Sequence, residues 1–132
     1  MIILDTSVWV EHLRNNPLFF PKVSSLLERN EVLAVECVFG ELLQGAKTGA
    51  EKDIILRFWK HLPKSNFADI VIQAGVYSAE NKLIDKGVGL IDVIILLHGI
   101  KSNSQIWTLD TRFLKIIPEG FLFTGCTNIL IS

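Results

Sequence analysis

The segments of this chain richest in β-forming residues do not alternate between apolar and polar positions. Ile2-Ile3-Leu4 and Val32-Leu33-Ala34-Val35 are apolar throughout, and residues 105–109 are nearly so. A strand with one wet face alternates; a continuous apolar run has to be covered on both faces. Between these runs lie stretches with helical spacing, among them Val23-Leu26-Leu27 and Ile54-Ile55-Phe58-Trp59. Strands alternating with helices and buried on both sides predict an α/β chain with a mainly parallel central sheet.

The same patterning predicts the elements. Strands are expected at 2–4, 32–35 and 105–109. A helix over 7–14 is stopped by Asn15-Asn16-Pro17, and others follow over 21–29, 36–46 and 50–61. A long helix is expected over 69–86, closed by Gly87 and Gly89. Residues 91–100 form a helix apolar on nearly every side, which places it centrally. A short helix over 111–117 ends before Pro118, and extended pieces follow at 121–123 and 128–131. Pro63-Lys64-Ser65-Asn66 is the clearest internal break, but it is too short to divide domains. A chain of 132 residues fits one domain, spanning 1–132.

Apolar residues make up 49% of the chain and charged ones 20%, which excludes a disordered polymer. Mean hydropathy is +0.39, so either the core is large or apolar surface is covered by a partner. No apolar run approaches the roughly 20 residues of a membrane span. The start has no basic region, and Asp5 ends its apolar stretch, so no signal peptide and a cytosolic location are expected. Cys37 and Cys126 have no metal-type spacing and read as reduced thiols in or near the core. A net charge of −1 gives no strong nucleic-acid signature. With four acids neutralised by metal the remaining balance is mildly cationic, which permits a polyanionic substrate.

Those acids are the chemical content of the chain. Asp5 and Asp110 each follow an apolar strand directly, and Asp92 is embedded in Leu90-Ile91-Asp92-Val93-Ile94. Apolar neighbours pull a carboxylate inward, where its charge has to be offset. In parallel α/β sheets, sites form beyond the carboxyl ends of the strands. Asp5 and Asp110 share that rim, Asp92 opens the buried helix, and Glu41 lies on the 36–46 helix where it can lean toward them. Each has a plainer role available: Asp5 and Asp110 as helix caps, Asp92 as a charge on a helix dipole, Glu41 as a solvated residue. Carboxylates without a His or Cys set suit Mg²⁺ or Mn²⁺ and phosphoryl chemistry. His12, His61 and His98 have no metal spacing. Thr6, Ser7 and Thr108 flank the acids and can bond a carboxylate, a water or a phosphate oxygen, or simply cap. Arg112 can meet a phosphate beside Asp110 or remain a solvated charge.

Four segments resemble the PIN-domain family. They are Ile3-Leu4-Asp5-Thr6-Ser7-Val8-Trp9, Glu41-Leu42-Leu43-Gln44-Gly45-Ala46, Asp92-Val93-Ile94-Ile95 and Thr108-Leu109-Asp110-Thr111-Arg112-Phe113. Their order, their spacing and the length of the chain are most similar to the toxins of VapBC-type toxin–antitoxin pairs. The resemblance implies a three-layer α/β/α sandwich and a Mg²⁺- or Mn²⁺-dependent endoribonuclease. It implies that Asp5, Glu41, Asp92 and Asp110 are catalytic and metal-binding, with RNA as substrate. It also implies a homodimer and an antitoxin that blocks the site. One departure is the bulk of Ile94-Ile95-Leu96-Leu97, where the family usually has small alanines. Two other classes remain open on sequence: a different Mg²⁺-dependent phosphotransfer enzyme, phosphatase-like, or a non-catalytic module that binds RNA or protein. A second acid two residues after Asp5 would favour the phosphatase, but that position is Ser7.

Overall fold

The computed structural model describes residues 1–125. Its order is β1 (Ile2–Leu4), α1 (Thr6–Leu13), α2 (Phe20–Glu28), β2 (Ala34–Val35), α3 (Glu36–Gly45), α4 (Gly49–His61), β3 (Lys64–Ser65), α5 (Ile70–Glu80), α6 (Leu90–Ser102), β4 (Gln105–Trp107) and α7 (Thr111–Leu114), with 3₁₀ turns at Ile84–Lys86 and Glu119–Phe121.

The strands are parallel. β1 pairs with β4 in the register Ile2 to Gln105, Ile3 to Ile106 and Leu4 to Trp107. β2 pairs with β3, Ala34 opposite Lys64 and Val35 opposite Ser65. A bridge between Ile2 and Val32 joins the two pairs, and Ile106 bridges to Leu122 on the far side. The spatial order is therefore β3, β2, β1, β4. Successive strand residues point to opposite faces. Ile3, Leu4, Ile106 and Trp107 are all at 1% exposure or less, so helices cover both faces and the architecture is a three-layer α/β/α sandwich.

Four expectations about strands need correction: β2 keeps only Ala34–Val35 of the expected 32–35, Phe121 of the extended piece 121–123 ends a 3₁₀ turn, and β3 and β4 differ as well. Residues 64–65, read as part of a break, form the edge strand β3, and Ala34 N donates to Pro63 O at 2.8 Å. At the other edge β4 is shorter than expected, because Leu109 N donates to the Ser7 hydroxyl instead of to a neighbouring strand.

The expected long helix over 69–86 is two elements. Lys82 adopts φ +54°, Lys82 N donates to Ala79 O, and Leu83 N reaches back to Ser78 O. This is a Schellman closure with lysine at its left-handed position. It turns Leu83 inward to 2% exposure, against Val88, Val93 and Leu97. Burial of that one leucine, about 1.5–3 kcal/mol, exceeds what a continued solvent-facing helix would supply. The helix expected over 111–117 stops at Leu114. The piece expected at 128–131 lies outside the described residues.

α6 is buried continuously from Val93 to Gly99, as its composition required. Ile95 and Leu96 face the main core with β1 and β4, while Val93, Ile94 and Leu97 face a second core built with α5. The bulky residues after Asp92 are thus divided between two cores. Gly99 is where α6 meets the sheet: a Cβ there would lie 2.8 Å from Ile106 Cδ1 and 3.2 Å from Ser104 O. At the other end of the main core, Trp9 packs edge-on against Phe39 and is 1% exposed. Among the described residues no helix is long and apolar enough to cross a membrane.

Candidate active site

Asp5 leaves β1 with its amide still on the ladder, donating to Trp107 O at 3.0 Å. Its side chain is 6% exposed and caps α1. Oδ1 accepts from Thr6 N at 2.7 Å; Oδ2 accepts from Thr108 Oγ1 at 2.6 Å and Ser7 Oγ at 3.1 Å. These donors replace the water a buried carboxylate loses. A carboxylate has about four lone-pair sites. Oδ2 is fully engaged, and Oδ1 retains one acceptor position.

The two hydroxyls also tie the strand ends together. Ser7 Oγ accepts from Leu109 N, and Thr108 Oγ1, fully buried, accepts from Asp110 N at 3.1 Å. Asp110 then caps α7, its Oδ1 accepting from Arg112 N at 2.9 Å and Phe113 N at 3.3 Å. The plain capping roles of Asp5 and Asp110 are therefore real, and they fix the carboxylates in place without consuming them. Thr6 Oγ1 donates to Glu41 Oε1 at 2.7 Å, bringing α3 to the same rim. Thr6, Ser7 and Thr108 all bond carboxylates here.

Asp92, half-buried in the first turn of α6, senses all the others. Its pKa is raised from 3.8 to about 6, first by burial and then by the charges of Asp5, Asp110 and Glu41. The acids expected at the rim thus act on one group. Not all are interior: Glu41 and Asp110 are exposed, against the expectation that apolar neighbours would draw Asp110 inward. The strand before Asp110 ends at Trp107, and Asp110 itself begins the solvent-facing α7. The same electrostatic field reaches Cys37, whose thiol is pushed up to about 11 by burial and then by Glu41. Sequence reasoning placed Cys37 near the core but missed its nearness to the acids. Cys37 is free; Cys126 lies outside the described residues.

The histidines stand elsewhere. His98 Nδ1 pairs with Ser65 Oγ at 2.6 Å, and His12 stacks on Phe20 at 4.8 Å. Burial lowers the pKa of both. His61 is exposed. The remaining donor set is carboxylate and hydroxyl oxygen, the set preferred by Mg²⁺ and Mn²⁺. Among the described residues no three His, Cys, Asp or Glu side chains converge closely enough to hold an ion by themselves. The mutual repulsion at Asp92 and the open position on Asp5 fit a small hard cation that keeps part of its water shell.

Comparison with known proteins agrees with this geometry. The family model described as "PIN domain" matches residues 2–117. Ribonuclease VapC32 of Mycobacterium tuberculosis, from strains CDC 1551 and H37Rv, is 27% identical over 124 residues, covering 91% of this chain and 93% of the relative. The crystal structure of VapBC2 from Rickettsia felis bound to a DNA fragment from their promoter superposes with a TM-score of 0.68 at 22% identity, covering 92% of this chain and 96% of that one. That structural likeness concerns the fold. A family match running from the first strand past the last acid, over a rim already built from those acids, means that this chain belongs to the PIN domain family.

Proposed function

We propose that this chain is a divalent-metal-dependent endoribonuclease and the toxin of a VapBC-type toxin–antitoxin pair acting in the cytosol. The observation that carries the reading is Asp92, whose carboxyl is raised to about 6 by burial and by Asp5, Asp110 and Glu41 together. Asp5, Asp110 and Glu41 each add a repulsive charge at Asp92, so the four acids share one electrostatic neighbourhood that a cation would relieve. A bound Mg²⁺ or Mn²⁺ would supply Lewis-acid polarisation of the phosphodiester and activation of a water for in-line attack.

The chain's own residues have separable tasks. Asp5 and Asp92 would hold the ion, and Glu41 and Asp110 would complete the set. Thr108 and Ser7 hold the Asp5 carboxylate in one orientation from two sides, and Thr6 does the same for Glu41. The two α7 amides fix Asp110. Relatives named as a ribonuclease and as part of a VapBC complex support the same function. The groove beside Glu41, walled by Val10, Leu42, Ile54 and Ile55 and carrying Glu51, suits an apolar antitoxin segment with a basic side chain. The exposed α5 residues Val71, Ile72 and Val76 suit a second copy of the chain.

Asp5→Asn keeps the size of the side chain and its capping oxygen but removes the charge. Expected is a folded protein whose Mn²⁺ binding by calorimetry and RNA cleavage both fall at least a hundredfold. Full cleavage by that variant would remove Asp5 from the site and the reading with it. A phosphatase would instead form an aspartyl-phosphate on Asp5, detectable by mass spectrometry.

A further inference from the structure

A second concave site lies between the end of α5, the 3₁₀ turn Ile84–Lys86 and α7. It is a cavity of about 620 Å³ with Tyr77, Asn81, Lys86, Arg112 and Lys115 among its lining. Its wall holds three cations and no carboxylate. The groove beside Glu41, by contrast, mixes Arg14 and Lys47 with Glu41 and Glu51. Among the described residues, Lys86, Arg112 and Lys115 take part in no ion pair. Three cations gathered in one concavity without counter-charge repel one another, and an anion relieves that cost.

One of the three cations is laid against the backbone. The Arg112 side chain lies across Gly87, where a Cβ would stand 2.9 Å from Arg112 Cδ and 3.1 Å from Nη1. Gly87 has φ +77°, a conformation that also favours glycine. One glycine therefore closes the 3₁₀ turn and leaves the space into which Arg112 is laid. The same residues border the acids. Arg112 is two positions after Asp110 and donates its amide to it, and Gly87 begins the segment that leads through Gly89 into α6 and Asp92.

We propose that this cavity holds the phosphates of the RNA strand beyond the cleavage position, with Arg112 as the inner contact and Lys86 and Lys115 as the outer ones. The proposal rests on the ribonuclease reading, which supplies the anion. A strand held at the acids carries one phosphate per nucleotide, and an acid-free basic concavity that begins at Arg112, beside Asp110, is what its backbone needs. Tyr77 adds an aromatic wall on which an unpaired base can stack. The cations compensate for the negative charge of the acid rim, which by itself repels RNA. They suit a nuclease of net charge −1: three of its 13 basic residues are grouped in this cavity, so no excess is needed over the whole surface.

The test is the salt dependence of binding to a fluorescein-labelled 12-nucleotide oligouridine, measured by anisotropy in EDTA so that no cleavage occurs. For single strands the slope of log K against log salt falls by about 0.7 for each phosphate the protein ceases to neutralise. The double variant Lys86→Ala/Lys115→Ala should therefore be shallower than the parent by about 1.4, and adding Arg112→Ala should take off about 0.7 more. Lys52→Ala, on exposed α4, should retain the parent slope. A double variant with the parent's slope and affinity overturns the proposal, and that is also the result if the cavity serves an acidic protein segment. Cleavage by the parent in Mn²⁺ is scored separately. Binding that flattens as expected in a parent that never cleaves keeps the phosphate site and defeats the nuclease reading. Cleavage with unaltered slopes does the reverse.

Discussion

At the scale of single residues, the site depends on hydroxyls as much as on acids. Thr108 and Ser7 reach Asp5 from just past β4 and from α1, and each returns an acceptor to a backbone amide of the 109–110 segment. Each hydroxyl therefore has both its donor and an acceptor in use, which holds the Asp5 carboxylate in one orientation. Asp92 has no such support. Its folded pKa of about 6 lies above the ordinary 3.8, so the folded chain holds a proton that the unfolded chain has lost between those values. Stability then declines as pH rises through this window, and above it the ionised carboxyl remains a standing cost. In EDTA, Asp92→Asn should melt at a higher temperature than the parent at pH 7, and the gap should close by pH 3.5. Thermal melts at the two pH values check this; a variant less stable than the parent at pH 7 would mean that Asp92 is stabilised by its surroundings instead of strained by its neighbours.

At the scale of elements, the helix ends show where local chemistry decides and where it yields. Asn15, Asn30 and Asn103 occupy left-handed positions after α1, α2 and α6, and asparagine tolerates that geometry. Lys82 holds the equivalent place after α5 with no such tolerance. A left-handed conformation costs an ordinary residue about 1–2 kcal/mol, part of which glycine returns as extra unfolded-state entropy. Lys82→Gly should stabilise the protein by about 0.5–1 kcal/mol, read as a higher urea midpoint at unchanged slope. An unchanged or lower midpoint would show that the Lys82 turn carries no strain. The turn matters beyond stability, because it sends the chain into Leu83 and then Gly87, the residue over which Arg112 lies.

At the scale of the molecule, the greasy composition is only partly absorbed by the two cores. Val71, Ile72 and Val76 on α5 are at least half exposed, and Ile84, Leu90 and Ile91 also face outward. An apolar surface of this kind on a small chain is what a homodimer covers. Ile72, at 70% exposure, contributes little to the fold of one copy, so Ile72→Glu should leave the circular dichroism unchanged and shift sedimentation from dimer to monomer. A parent already monomeric at micromolar concentration would remove the homodimer from the proposed function.

The places of β1, β2 and β4, the burial of α6 and the positions of the candidate acids along the chain were legible in the residue order, because each follows from a local pattern; β3, with Lys64 and Ser65, carries no such pattern. An apolar run without alternation must be buried on both faces, and an acid directly after such a run must stand at the sheet rim. That reasoning reached Asp5, Asp92 and Asp110 and the neighbouring Thr6, Ser7, Thr108 and Arg112. It could not foresee that Lys82 would end α5, because the gain from burying Leu83 depends on Val88, Val93 and Leu97 being there to receive it. Nor did it single out Lys86 and Lys115, which look like ordinary surface charges until the fold sets them beside Arg112. Local sequence determined which segments are buried and where the acids fall along them. Only the tertiary structure decided which side chains meet, since a bond such as Thr108 to Asp5 spans 103 residues and depends on the closing of the whole sheet.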